Sequence, residues 1–220
     1  MTQLTEKYRP ASFAEVVGQD KVVKTLIGLQ SRGALAKRAY FISGLTGTGK
    51  TTLARIIAAS VASKLATTEM DAADVGLDDI RRMEDRWHST ALAKPGEPTG
   101  RAWIFNEVHR FSGKVVSRLL TALEAENIPS HVAVCLTTTV EGQGMLFDGA
   151  MDAHPLLHRC CVLNLAQRDL AEPFARLGLT IARAEGLDGR SIEDYIKLAR
   201  KCKNSMRAIL QAIDAGEMLP

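Results

Sequence analysis

The chain is poor in cysteine and in net charge, and it has no long apolar run. Each shortage excludes something. Its four cysteines, Cys135, Cys160, Cys161 and Cys202, form no C-x-x-C pair, and Cys135 lies inside an apolar, strand-like run. Reduced thiols are expected. His154, His158 and Cys160 have the residue types of a metal site, but Pro155 stands between the histidines and disfavours a helix presenting both. An ordinary loop is expected there rather than zinc. A formal net charge of only +3 means that the whole-molecule field does not announce nucleic acid, so any basic surface must be local. No apolar stretch approaches membrane-spanning length, and Met1-Thr2-Gln3-Leu4-Thr5-Glu6 lacks signal-peptide character. A cytoplasmic location without membrane contact is expected. Internal repeats and low-complexity tracts are absent as well. The 220 residues suit one large domain, or one domain with a small appended one.

What is present is sharper. Gly44-Leu45-Thr46-Gly47-Thr48-Gly49-Lys50-Thr51 fits G-x-x-x-x-G-K-[ST] throughout. The apolar run Ala39–Ser43 leads into it, and a helical pattern starting at Thr52 follows, to about Lys64. Glycines allow the backbone N–H groups to turn inward around a phosphate chain, and the helix N-terminus adds partial positive charge. Lys50 is then suited to the terminal phosphates and the Thr51 hydroxyl to Mg²⁺. These residues predict a site for a nucleoside triphosphate.

Further short apolar runs alternate with helical patterns. Strands are expected at 39–43, 102–105, 132–136 and 161–165, and helices at 20–30 with Asp20 as N-cap, around 78–84, and at 113–124. Glu141 to His154 reads as an irregular insert. After Asp169 only helical patterns remain, near 169–185, 191–202 and 205–214. Strands alternating with helices indicate an α/β parallel sheet, and the tail a small helical domain.

The strand at 102–105 ends in Asn106-Glu107. In phosphate-loop ATPases an acidic residue at this strand end holds magnesium, and the next acid activates the attacking water. Glu107 suits the second role. Asn106 occupies the first with a neutral amide, whose oxygen can accept a hydrogen bond but brings no charge. Polar residues at the tip of the neighbouring strand, Thr137, Thr138 and Thr139, are expected beside this pair.

Several motifs together resemble the AAA+ ATPases of clamp-loader type, most closely the bacterial DNA polymerase III gamma/tau group. Lys7-Tyr8-Arg9-Pro10 through Val17-Gly18-Gln19 resembles the group's N-terminal signature around the adenine. Gly76-Leu77-Asp78-Asp79-Ile80-Arg81 resembles a helix start of the group, and Asn106-Glu107-Val108-His109 its Asp-Glu-x-His box. Leu136-Thr137-Thr138-Thr139 resembles the sensor-1 strand, with Thr139 the expected sensor. His158-Arg159-Cys160 corresponds to a Ser-Arg-Cys motif whose arginine reaches a neighbouring subunit's ATP site. Ser205-Met206-Arg207 resembles the sensor-2 element. The resemblance implies an AAA+ phosphate-loop NTPase fold: a five-stranded parallel sheet flanked by helices over residues 1–166, then a three-helix lid over 167–220. It implies ATP and Mg²⁺ as cofactors. Tyr8, Arg9, Pro10, Val17, Gly18, Gly44, Leu45, Thr46, Gly47, Thr48, Gly49, Lys50, Thr51, Thr52 and Arg207 would contact nucleotide, and Thr51 and Asn106 the metal. Glu107, Lys50, Arg159, Thr139 and Arg207 would serve catalysis, Arg159 only within an oligomer.

The same resemblance implies loading of a sliding clamp onto primer–template DNA, with other clamp-loader subunits as partners. Arg110, Lys114 and Arg118 recur every four residues and would form a basic stripe facing DNA, with Val115, Leu119 and Leu123 turned to the sheet. No aromatic residue interleaves the stripe, so base stacking has no support. Departures from the group are a neutral Asn106, His158 in place of serine, the insert after the sensor-1 strand, and no four-cysteine zinc module between Arg55 and Asp71. The group's C-terminal collar is not expected within these residues. Replacing a carboxylate by Asn106 should weaken magnesium and slow hydrolysis. Two other readings remain: an ATP-binding but hydrolysis-deficient assembly subunit, and another AAA+ remodeller of phage or mobile-element origin.

Overall fold

The computed structural model describes residues 3–139, 154–166 and 168–220. Five parallel strands form one sheet: β1 (Arg38–Ser43), β2 (Thr67–Asp71), β3 (Arg101–Asn106), β4 (Val132–Thr138) and β5 (Cys160–Asn164), in the order β2-β3-β4-β1-β5. Nine α-helices lie among the described residues: α1 (Leu4–Lys7), α2 (Asp20–Gln30), α3 (Lys50–Val61), α4 (Leu77–Trp87), α5 (Gly113–Ala122), α6 (His154–His158), α7 (Ala171–Glu185), α8 (Ile192–Lys201) and α9 (Met206–Asp214).

Successive strand residues point to opposite faces, and both faces are covered, which is why the central strands read as unbroken apolar runs. Phe41, Trp103, Phe105, Val134 and Leu136 join Ile80, Met83, Val115, Leu119 and Leu123 in one core. Tyr40, Ile42, Ile104, Ala133 and Cys135 join Leu26, Leu53 and Ile57 in the other. A third cluster unites α7, α8 and α9 through Phe174, Tyr195, Ile209 and Ile213, and also takes in Leu4 from α1.

Several expectations need correction. β2, with sequence Thr-Thr-Glu-Met-Asp, is a fifth strand that shows no apolar run, because it lies at the sheet edge and is only partly covered. Thr137 and Thr138 belong to β4, which runs two residues past the expected end at 136. Helix α3 stops at Val61, short of Lys64, and the N-cap of α2 is Gln19, with Asp20 already in the first turn. His154 to His158 is a short helix and not a loop, since Pro155 falls in its first turn, where a missing N–H costs nothing. Among the described residues no cluster of three or more His, Cys, Asp or Glu could hold a metal ion. Most of the expected insert, residues 141–153, lies outside the described residues. No described helix is long and apolar enough to cross a membrane.

A candidate nucleotide site at the carboxyl ends of the strands

Ser43, Asn106, Thr138 and Asn164 end four adjacent parallel strands, so their side chains gather at one edge of the sheet, where ligands of open α/β sheets bind. The loop after β1 crosses this edge. Gly49 adopts φ of +105° immediately before α3, a conformation open to glycine, and turns the chain into the helix at Lys50. Gly47 (φ +80°) is tight for a second reason: a Cβ there would collide with the Ser205 hydroxyl. The lid thus touches the loop directly, and the Met206 N–H donates to the Gly47 carbonyl at 3.1 Å. Lys50 is 7% exposed and its ammonium donates to the carbonyls of Gly44 and Leu45, each at 3.0 Å.

An open cleft adjoins the loop. Its lining includes Tyr8, Arg9, Pro10 and Val17, the loop from Thr46 to Thr52, Glu107 and Arg207. It also includes Val16 and Met206, which fall within the motifs noted above, and Phe174, Leu177, Ile181 and Leu210, which sequence reasoning missed. The helical periodicity of the lid was visible, but not which of its faces meets the loop. Gly18 does not line the cleft. It passes beneath Leu170 and Phe174, backing the lid residue that does. Arg9 links the N-terminal segment to α3 by donating to the Thr52 hydroxyl at 3.1 Å. Tyr8 and Lys7 both reach Glu185 of α7, Lys7 at 2.7 Å. These bonds hold the Glu185 carboxyl below its usual range and push the Tyr8 phenol up. Gln19 is buried and clasps the Ala166 backbone, accepting from its N–H at 2.7 Å and donating to its carbonyl at 3.4 Å.

The strand-end pair is built as follows. The Asn106 oxygen accepts from Thr51 Oγ1 at 3.1 Å and from Thr137 Oγ1 at 3.0 Å, while its nitrogen donates to Glu69 Oε1 at 2.8 Å. Glu107 takes the left-handed conformation (φ 56°, ψ 49°). That geometry costs a non-glycine residue about 1–2 kcal/mol, and it lets the side chain line the cleft instead of following the strand. His109 Nδ1 lies 3.4 Å from the Glu107 carboxylate and 3.1 Å from Thr138 Oγ1. Of the three threonines it is Thr137 that meets Asn106. Thr139, the expected sensor, is beyond the end of β4 and outside the cleft lining.

The donor set around Thr51 and Asn106 is oxygen only, hydroxyls and an amide carbonyl with a carboxylate one bond behind. Such hard, mostly neutral ligands fit magnesium, which keeps several of its waters and leans on substrate phosphates.

Two groups of expected residues stand apart from the cleft. Arg159 follows α6 and pairs with Glu124 beyond α5, while its Nη1 donates to the Pro155 carbonyl at 3.0 Å. The basic stripe is not continuous. Arg110 sits in a separate 3-10 turn (Val108–Arg110), because Ser112 starts α5 afresh by accepting from the Val115 N–H. Four-residue spacing therefore does not align Arg110 with Lys114 and Arg118. Arg110 pairs with Asp71 at 3.1 Å and Arg118 with Glu84 at 2.6 Å.

Residues 40–143 match the ATPase family associated with various cellular activities (AAA). The tau subunit of DNA polymerase III from Escherichia coli is 30% identical over 97% of this chain and 35% of its own length. The gamma subunit from Buchnera aphidicola is 30% identical over 62% of this chain and 42% of its own. The gamma/tau subunit from Mycobacterium tuberculosis is 33% identical over 62% of this chain and 27% of its own. The chain thus spans between about a quarter and two fifths of the length of these relatives. The solved Holliday junction branch migration motor RuvB of Thermotoga maritima superposes with a TM-score of 0.67 at 22% identity, over 94% of this chain and 64% of that one. At that identity the likeness concerns the fold.

Proposed function

We propose that this chain, an AAA ATPase related to the gamma/tau subunits of DNA polymerase III, is a nucleotide-driven motor subunit of a clamp-loader-like complex acting in DNA replication. The observation that carries the reading is the three-sided cleft. The N-terminal segment, the phosphate loop and the lid each contribute residues to it, so a nucleotide filling it would join all three. In this reading residues 1–166 form the nucleotide-binding domain and 167–220 the lid, and the protein works in the cytoplasm.

The roles follow from the chemistry. Lys50 would exchange the carbonyls of Gly44 and Leu45 for phosphate oxygens, a stronger, charge-assisted contact. Thr51 and Asn106 would hold magnesium, which supplies positive charge to the phosphates when bound. Glu107 would take the proton of the attacking water, with His109 and Thr138 steadying it. Arg207, on the cleft wall at the start of α9, would bring the lid onto the phosphates. Thr137 contacts the Asn106 amide and is a better candidate than Thr139 for linking this strand to the site. Arg159 would act on a neighbouring subunit's nucleotide. Sliding clamp, primer–template DNA and further subunits are the proposed partners, and Lys114 is the member of the basic stripe best suited to phosphate contact, being exposed on α5.

A second reading, an ATP-binding subunit that assembles without hydrolysing, is favoured by the neutral amide of Asn106. Turnover of labelled ATP, with and without primed DNA and a clamp, tests both. Slow basal turnover that rises with clamp and DNA, and rises again in Asn106→Asp, is the result expected. A wild type already as fast as the Asp variant would refute the slow-hydrolysis proposal, and indifference to clamp and DNA would refute the loader.

A further inference from the structure

Asn106 is the weak point of the site, because an amide has two ends that differ by their hydrogen-bonding sense. Its oxygen suits a cation and its NH₂ does not. What fixes the choice is on the edge strand. Glu69 Oε1 receives the Asn106 Nδ2 at 2.8 Å, and a carboxylate can only accept. The NH₂ must therefore face β2, and the oxygen must face Thr51 and Thr137, whose hydroxyls donate to it. Glu69 is itself held in a fork. Arg55 Nε donates to Oε2 at 2.8 Å and Nη2 to Oε1 at 3.1 Å. Arg55 lies one helical turn beyond Thr51 on α3, so one helix holds both ends of the chain of bonds. The second carboxylate of β2, Asp71, is engaged elsewhere, with Arg110 and the Ala73 N–H. Arg55 also balances the charge of Glu69, so what Glu69 contributes to the site is direction and not added negative charge.

We propose that Glu69 is a positioning residue for magnesium–nucleotide, orienting the Asn106 amide so that its oxygen faces the cation. The proposal rests on the nucleotide-binding reading above and makes a demand that reading does not. An aspartate at 106 would present oxygen whichever way it turned, so it would have no need of Glu69.

The test is titration of a fluorescent ATP analogue with Mg²⁺ and with EDTA, on melting-checked variants. Glu69→Ala should lower the Mg²⁺-dependent gain in affinity by about tenfold, the scale of a lost partner behind a metal ligand. Affinity in EDTA should not change. Glu69→Gln, whose carbonyl can still accept from Asn106, should stay within about twofold. In an Asn106→Asp background, where two acceptor-only carboxylates would face each other, Glu69→Ala should cause no loss, and relief of the repulsion should leave affinity equal or higher. Equal loss with and without Mg²⁺, equal loss in the aspartate background, or no loss at all would overturn the proposal. The side-chain NH₂ resonances of Asn106 in nucleotide-free protein give an independent reading. Glu69→Ala should shift them and Glu69→Gln should largely preserve them, and indifference to Glu69→Ala would also overturn it. Absence of any nucleotide binding in the unmodified chain would sink the functional reading instead, and the resonances would still decide the orientation.

Discussion

Of the arginine–glutamate pairs in this molecule, Arg55–Glu69 and Arg159–Glu124 differ in what they serve under the proposed function: a site within the chain, in cis, and a neighbouring chain's site, in trans. Arg55 holds Glu69, whose remaining capacity goes to Asn106 and through it to Thr51 and Thr137. Arg159 holds Glu124, and no further hydrogen bond to that carboxylate leads toward the cleft among the described residues. The side chains of the second pair are 27% and 48% exposed. Ion pairs of that exposure are worth at most about 1 kcal/mol. That is too little to keep a guanidinium from a phosphate, which binds it more strongly. The Arg55–Glu69 pair is as exposed, at 43% and 29%, so what separates the two is connection: Glu69 is bonded onward to Asn106, and Glu124 is not bonded onward toward the cleft among the described residues.

Breaking the cis half should give the largest effects. Glu107→Gln should cut hydrolysis by about 100-fold or more, the usual contribution of a general base, while leaving nucleotide affinity in place. Single-turnover measurement with a parallel binding titration checks this, and a loss of binding would contradict the assigned role. Lys50→Ala should weaken nucleotide binding by about 10- to 100-fold, the range of a hydrogen bond from a charged group. Calorimetric titration reads it, and unchanged affinity would mean that the loop does not hold phosphate.

The trans half should respond more weakly. Glu124→Ala frees Arg159 and should raise ATPase activity by no more than about fivefold, and only at protein concentrations where copies meet. Arg159→Ala should remove that concentration dependence. An effect of Glu124→Ala at high dilution would place Arg159 in its own chain's site. The smallest signal comes from the neighbouring thiol. Burial pushes Cys160 up to about 12, so it stays protonated at pH 8 and should resist alkylation there, reacting only as the pH approaches that value. Peptide mass mapping across pH checks this. Rapid labelling at pH 8 would show that the Arg159 corner opens by itself.

The contrast also marks what could be read from the chain. The phosphate loop and four strands were legible because glycine spacing and apolar runs are local properties; β1, β3 and β4 are buried on both faces, and β5, although an edge strand, is still apolar in sequence. The AAA+ fold expected from the motifs stands, with its five parallel strands and its lid of three helices. β2 was not legible, since an edge strand need not be apolar, and Glu69 was missed with it. Residues 67–71 hold one apolar side chain, Met70, so neither an apolar run nor an alternation marks them as a strand. The apolar cleft residues of the lid escaped for another reason. Amphipathic spacing says that a face is buried, not against what. Arg110 shows the reverse error, in which a four-residue spacing was read as one helix face although Ser112 caps a new helix in between.

The hydrogen bond from Met206 to Gly47 has a mechanical consequence. The peptide unit that would wrap the phosphates is also the pivot against which α9 rests, and no side chain mediates the contact. Any refolding of that loop must either drag the base of the lid with it or break the bond. Under the proposed function, this joint is where a change in the occupant's phosphates would first reach the nine residues of α9.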